Sequence, residues 1–147
     1  MLTEKDYCDY ETCVALKELG YKVPTSAYYM PHHKDLIWVS NPFRGGYVTD
    51  CFYSHNSLPK DVMTANFIDA PTLWEAQKWL REEKKIIVEV FVDDDSDTPI
   101  TYNIHKDGEC VCHHHGKYWS VKEWGEALSE GIKEAIKILK EDANIQR

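Results

Sequence analysis

Two cysteines and three consecutive histidines fall within six residues, Cys110 to His115, in the stretch GECVCHHHGKYWS. Thiolates and imidazoles are the donors zinc takes most readily, so this segment is the first place to look for a metal centre. It follows Asp107-Gly108, a dipeptide suited to a two-residue hairpin turn. Counting outward from that turn sets Lys106 against Glu109, His105 against Cys110, Ile104 against Val111, Asn103 against Cys112 and Tyr102 against His113. Strict alternation then puts Tyr102, Ile104, Val111 and His113 on one face and gathers His105, Cys110, Cys112 and His114 on the other. Two thiols and two imidazoles make a chemically sensible zinc set.

Distance opposes that reading. Same-face neighbours on a strand stand about 7 Å apart, whereas zinc donors lie within about 4 Å of one another. Cys-x-Cys also lacks the turn that brings both sulfurs of a Cys-x-x-Cys knuckle inward. The expectation is a hairpin strand first, with no cofactor and no stoichiometric zinc. A metal centre on His105, Cys110, Cys112 and His114 is the alternative.

Other candidates fall away on spacing. Cys51, His55 and Asn56 have the composition of a thiol-protease trio, but four strand residues separate cysteine and histidine by about 13 Å, too far for proton transfer. His32-His33 follows Met30-Pro31 and reads as an exposed loop pair. Asp93, Asp95 and Asp97 are spaced like the start of a calcium loop, yet Thr98 replaces the needed glycine and Ile104 the closing glutamate. No glycine-rich phosphate loop, G-x-S-x-G elbow or H-E-x-x-H helix is present.

The elements around the cluster are legible. Thr72 and Glu75 form a capping box opening a helix over 72–83, with Leu73, Ala76 and Leu80 inward and Trp79 on the flank. KKIIVEVFV predicts a strand over 86–92 with apolar residues on both faces, hence one covered on both sides. Strands at 100–106 and 110–118 flank Asp107-Gly108. Ser120 and Glu123 cap a last helix from Val121 to about Lys140, whose stripe is Val121, Trp124, Leu128, Ile132, Ala135 and Leu139. Trp124 and Leu128 are both expected against the sheet. Upstream, Thr3 caps a helix over 4–19 that Gly20 ends, and a hairpin is expected at about 35–40 and 47–53. The fold class is therefore α+β: an antiparallel meander packed by two helices, preceded by an N-terminal helix and hairpin. The whole of 1–147 is read as one compact domain, with sub-units 1–56 and 68–147 as its natural parts.

Composition narrows the class of function. The 147 residues carry a net charge of −8, with lysine and arginine scattered among carboxylates, so a phosphate-neutralising basic face is not expected. Nucleic acid is disfavoured as a partner. No apolar run reaches membrane-spanning length, and the N-terminus MLTEKDYCDYETC lacks the apolar centre of a secretory signal. Five cysteines, an odd number, suit a reducing cytoplasm.

APTLWEAQKWLREEKKIIVEV and YWSVKEWGEALSEGIKEAIKIL carry a resemblance over about residues 68–140. Together they resemble small uncharacterised proteins of gut Bacteroidetes and their phages, which pair a Pro-Thr-led helix with a closing EEAL-x-x-GI-x-x-AL helix. The shared motifs are caps and core positions, and the cysteine–histidine cluster is not among them. The resemblance implies no activity and no catalytic residue. It favours a non-catalytic, phage- or prophage-associated accessory protein acting through protein–protein contact. The alternative is a metal-binding module, or a metal-dependent enzyme, built on the Cys110–His115 strand.

Overall fold

The computed structural model describes residues 2–31, 34–38, 67–113 and 116–145. They fall into two compact units, Met1–Thr72 and Leu73–Arg147. The fold is α+β.

In the first unit Thr3 does build a capping box, but on a short 3-10 turn, Glu4–Asp6, with the Asp6 carboxylate accepting the Thr3 N–H at 2.7 Å. The expected helix over 4–19 begins later. Tyr7 bridges Thr72, and the Cys8 N–H donates to the Pro71 carbonyl at 3.0 Å, so both residues run extended. Those non-local bonds override the local helical pattern. Helix α1, Tyr10–Glu18, starts from Asp9, whose side chain accepts the Thr12 N–H. Gly20 stops it at φ +102°, a conformation that lets the Tyr21 N–H reach back to the Leu16 carbonyl.

Three short antiparallel strands follow in the order β2-β1-β3: β1 at Ala27–Tyr29, β2 at Ile37–Trp38 and β3 at Ile68–Asp69. β1 and β3 escape the sequence reading because two or three residues carry no usable periodicity. β2 falls inside the expected 35–40 strand, but its described partner is β1. The expected partner at 47–53 lies outside the described residues. Tyr28 packs edge-on against Phe67, and the Tyr29 hydroxyl donates to the Cys8 carbonyl at 3.0 Å.

In the second unit the order is α2, Leu73–Lys84; β4, Ile86–Val92; β5, Ile100–Lys106; β6, Glu109–His113; and α3, Trp124–Ile145. Strands β4, β5 and β6 form an antiparallel meander. Lys85, at φ +56°, makes the one-residue turn from α2 into β4. Asp107 and Gly108 both take positive φ, as a two-residue hairpin requires.

Leu73, Ala76 and Leu80 of α2 are buried as their spacing predicts. With them lie Ile86 and Val88 of β4, Ile100, Tyr102 and Ile104 of β5, and Ala127, Leu128, Ile132, Ala135 and Ile136 of α3. Gly131 is where α3 comes closest to the sheet, because a Cβ there would collide with Val88 and crowd the Tyr102 ring. The Ser120–Glu123 box is present but closes a 3-10 turn, Val121–Glu123, that leads into α3.

Two burial expectations fail. Trp124 and Val121 are exposed, because that 3-10 turn rotates the first residues off the core-facing stripe. β4 is not covered on both sides either: Ile86 and Val88 are sealed while Ile87 is 42% exposed. The helices cover one face of this sheet, and Ile87, Glu89, His105 and Cys110 occupy the other.

Candidate functional site

The uncovered face is set by alternation along β4 and β5. Even-numbered residues of both strands point to the helices, so Ile87 and Glu89 of β4 and Asn103 and His105 of β5 point away. On β6 the simple count holds for only two pairs, Lys106 with Glu109 and His105 with Cys110. The register then shifts: Ile104 pairs with Cys112 and Asn103 with His113. One extra residue, Val111, sits in β6 without a residue opposite it, the signature of a β-bulge.

That bulge redistributes the cluster. Cys110 stays beside His105 on the uncovered face, whereas Cys112 joins Ile104 and Tyr102 on the helix side. The Tyr102 hydroxyl is pushed well above its ordinary range, by burial first and by the Cys112 thiol second. His113, expected with the core residues, instead comes to the uncovered face, its Nδ1 3.5 Å from Cys110 Sγ. Val111, expected in the core with Ile104, is 46% exposed. Of the four residues first grouped, the structure keeps His105 and Cys110 together, turns Cys112 away, and leaves His114 outside the described residues.

Glu89 completes the arrangement. Its Oε2 lies 3.4 Å from His105 Nε2, at ion-pair distance but without the alignment of a hydrogen bond. The face therefore holds two close donor pairs, Glu89 with His105 and Cys110 with His113. Among the described residues no group of three or more His, Cys, Asp or Glu side chains could hold a metal ion. Sequence reasoning missed Glu89, although strand alternation in IIVEVFV marks it. It also missed His113, because nothing in GECVCHHH announces the bulge.

The acidic turn behaves as a solvated loop. Asp94 accepts from the Ser96 N–H at 2.9 Å and hydroxyl at 2.6 Å, which holds its carboxyl below the usual range. Asp93 accepts from the Tyr118 hydroxyl at 3.2 Å. Cys51, His55, Asn56 and the His32-His33 pair lie outside the described residues.

A second feature belongs to the first unit: a cleft of about 250 Å³ lined by Cys13, Lys17, Tyr21, Lys22 and Asp69. The Asp69 carboxyl is pushed up by burial, partly offset by Thr25 and Lys17. The Thr25 hydroxyl donates mainly to the Ala27 carbonyl at 2.5 Å, leaving Asp69 Oδ1 the longer contact at 3.4 Å. The Cys13 thiol donates to the Cys8 carbonyl at 3.5 Å, and its interaction with Cys8 first and burial second push its pKa upward, which disfavours the thiolate.

Comparison with protein-family models, with curated proteins and with solved structures returned no match.

Proposed function

We propose that the protein is a non-catalytic accessory protein that acts through protein–protein contact in the cytoplasm, in the phage or prophage company its sequence resemblance suggests. The observation that carries the reading is the face of the β4-β5-β6 sheet left open by the helices. Ile87 is 42% exposed there, and Val111, in the bulge, is 46% exposed. Apolar side chains left in water on one sheet face are the kind of surface a protein partner covers. No helix among the described residues is long and apolar enough to cross a membrane.

The test is affinity capture from the native host with wild-type protein and with the double variant Ile87→Lys, Val111→Lys. The reading expects a specific protein retained by the wild type and lost by the variant at unchanged melting temperature. Retention of the same partner by the variant would move the contact elsewhere. Substrate turnover by the purified chain would replace the reading altogether.

A further inference from the structure

We propose that Cys110 is a reactive thiol that forms a mixed disulfide with low-molecular-weight disulfides, with His113 as the base that takes its proton. The bulge creates the pair. In a regular strand, residues three apart point to opposite faces, and the extra residue Val111 brings Cys110 and His113 to the same one. Cys110 Sγ and His113 Nδ1 stand 3.5 Å apart, within reach of a hydrogen bond to sulfur. A nucleophile is thereby set beside a base.

The surroundings single out this sulfur among the described thiols. Cys8 and Cys13 are each 1% exposed, and Cys112 faces the helices with Ile104. Cys110 is half-buried and His113 exposed, on the face the helices leave open. The sulfur also lies 3.5 Å from the Cys112 carbonyl oxygen. That oxygen can hold the S–H hydrogen at rest but cannot carry the proton away, whereas an imidazole can. His105 stands opposite Cys110, yet its Nε2 is beside Glu89 at 3.4 Å.

The reaction is thiol–disulfide exchange. His113 Nδ1 takes the thiol proton as Cys110 Sγ attacks one sulfur of the small disulfide. A new S–S bond forms to Cys110, the old one breaks, and the departing thiolate leaves as a thiol with the proton from His113. The Cys110 sulfur is oxidised and one half of the reagent is reduced. Cys112, on the other face of the sheet, cannot reach round to displace the product, so the mixed disulfide persists until an external thiol reverses it. None of this depends on a partner occupying the open face.

The experiment treats the reduced, full-length protein at pH 7 with iodoacetamide, and separately with glutathione disulfide, and follows each cysteine by peptide mass mapping. A free cysteine is only a few per cent thiolate at pH 7, so a base is worth up to about 30-fold in rate. Cys110 should react with iodoacetamide about 5–30-fold faster than N-acetylcysteine, within that ceiling. Glutathione disulfide should leave a glutathionyl group on Cys110 and none on Cys112. His113→Ala and His113→Gln should both slow Cys110 by about 5-fold or more, since glutamine fills the space but takes no proton. His105→Gln and Cys112→Ser should leave the rate unchanged, and circular dichroism checks that each variant is folded. Cys110 no faster than N-acetylcysteine, or equally fast in His113→Gln, would overturn the proposal. So would a rate lost in His105→Gln, or a Cys110–Cys112 disulfide as the main product.

Discussion

Cys110 and Cys112 are two residues apart in sequence and lie on opposite faces of the same sheet. Cys110 pairs with His105 on the open face and Cys112 with Ile104 on the helix side. A regular strand would have put them on one face, so this single relationship separates the structure from the simple reading of GECVCHHH.

The core of the second unit makes a quantitative prediction. Leu128 is sealed between α3 and the sheet, whereas Trp124 is 38% exposed. Leu128→Ala should cost about 2–5 kcal/mol, the range for a buried leucine emptied to a cavity. Trp124→Ala should cost under ~1 kcal/mol, as for surface positions. Urea unfolding of both variants measures the contrast, and equal losses would contradict the placement of α3.

Gly131 and Gly125 share one helix but should respond oppositely to alanine. A Cβ at Gly131 runs into Val88 and the Tyr102 ring, while at Gly125 it meets only Leu73 Cδ1 at an ordinary 3.7 Å. Gly125→Ala should therefore stabilise by about 0.5–1 kcal/mol through helix propensity. Gly131→Ala should be destabilising, because overpacking typically costs about 1–3 kcal/mol, outweighing the same gain. Thermal unfolding decides the sign of each.

The cap of α3 predicts a pH dependence. The Ser120 N–H donates to Glu123 Oε1 at 3.0 Å, and that backbone bond chiefly lowers the Glu123 pKa below its ordinary 4.5. A carboxylate with a depressed folded-state pKa contributes stability above its unfolded value, and loses it as pH falls through the folded one. The melting-temperature gap between wild type and Glu123→Gln should therefore narrow as pH drops from 6 toward 3. A gap constant over that window would contradict the cap.

Most of the second unit was legible in the sequence, because its signals are local and repeated. Ile86 and Val88 alternate with Ile87, Leu128, Ile132 and Ala135 recur at helical spacing, and Asp107-Gly108 needs no distant partner to form its turn. The first unit was less legible. Tyr7 and Cys8 leave the helical pattern because they bond Thr72 and Pro71, more than sixty residues away. The candidate site was half legible: His105 and Cys110 follow from counting, but Val111 carries no mark of a bulge. Once the count slips, Cys112 and His113 exchange faces.

The measurement that bears most directly on this account is the strand register around Val111, read from nuclear Overhauser contacts in labelled, reduced protein. The bulged register predicts Cys112 side-chain contacts to Ile104 and Tyr102, close α-protons for His105 and Cys110, and His113 ring contacts to Cys110. Val111 packed on Ile104, with Cys112 opposite Asn103, would restore the regular hairpin and contradict the bulge.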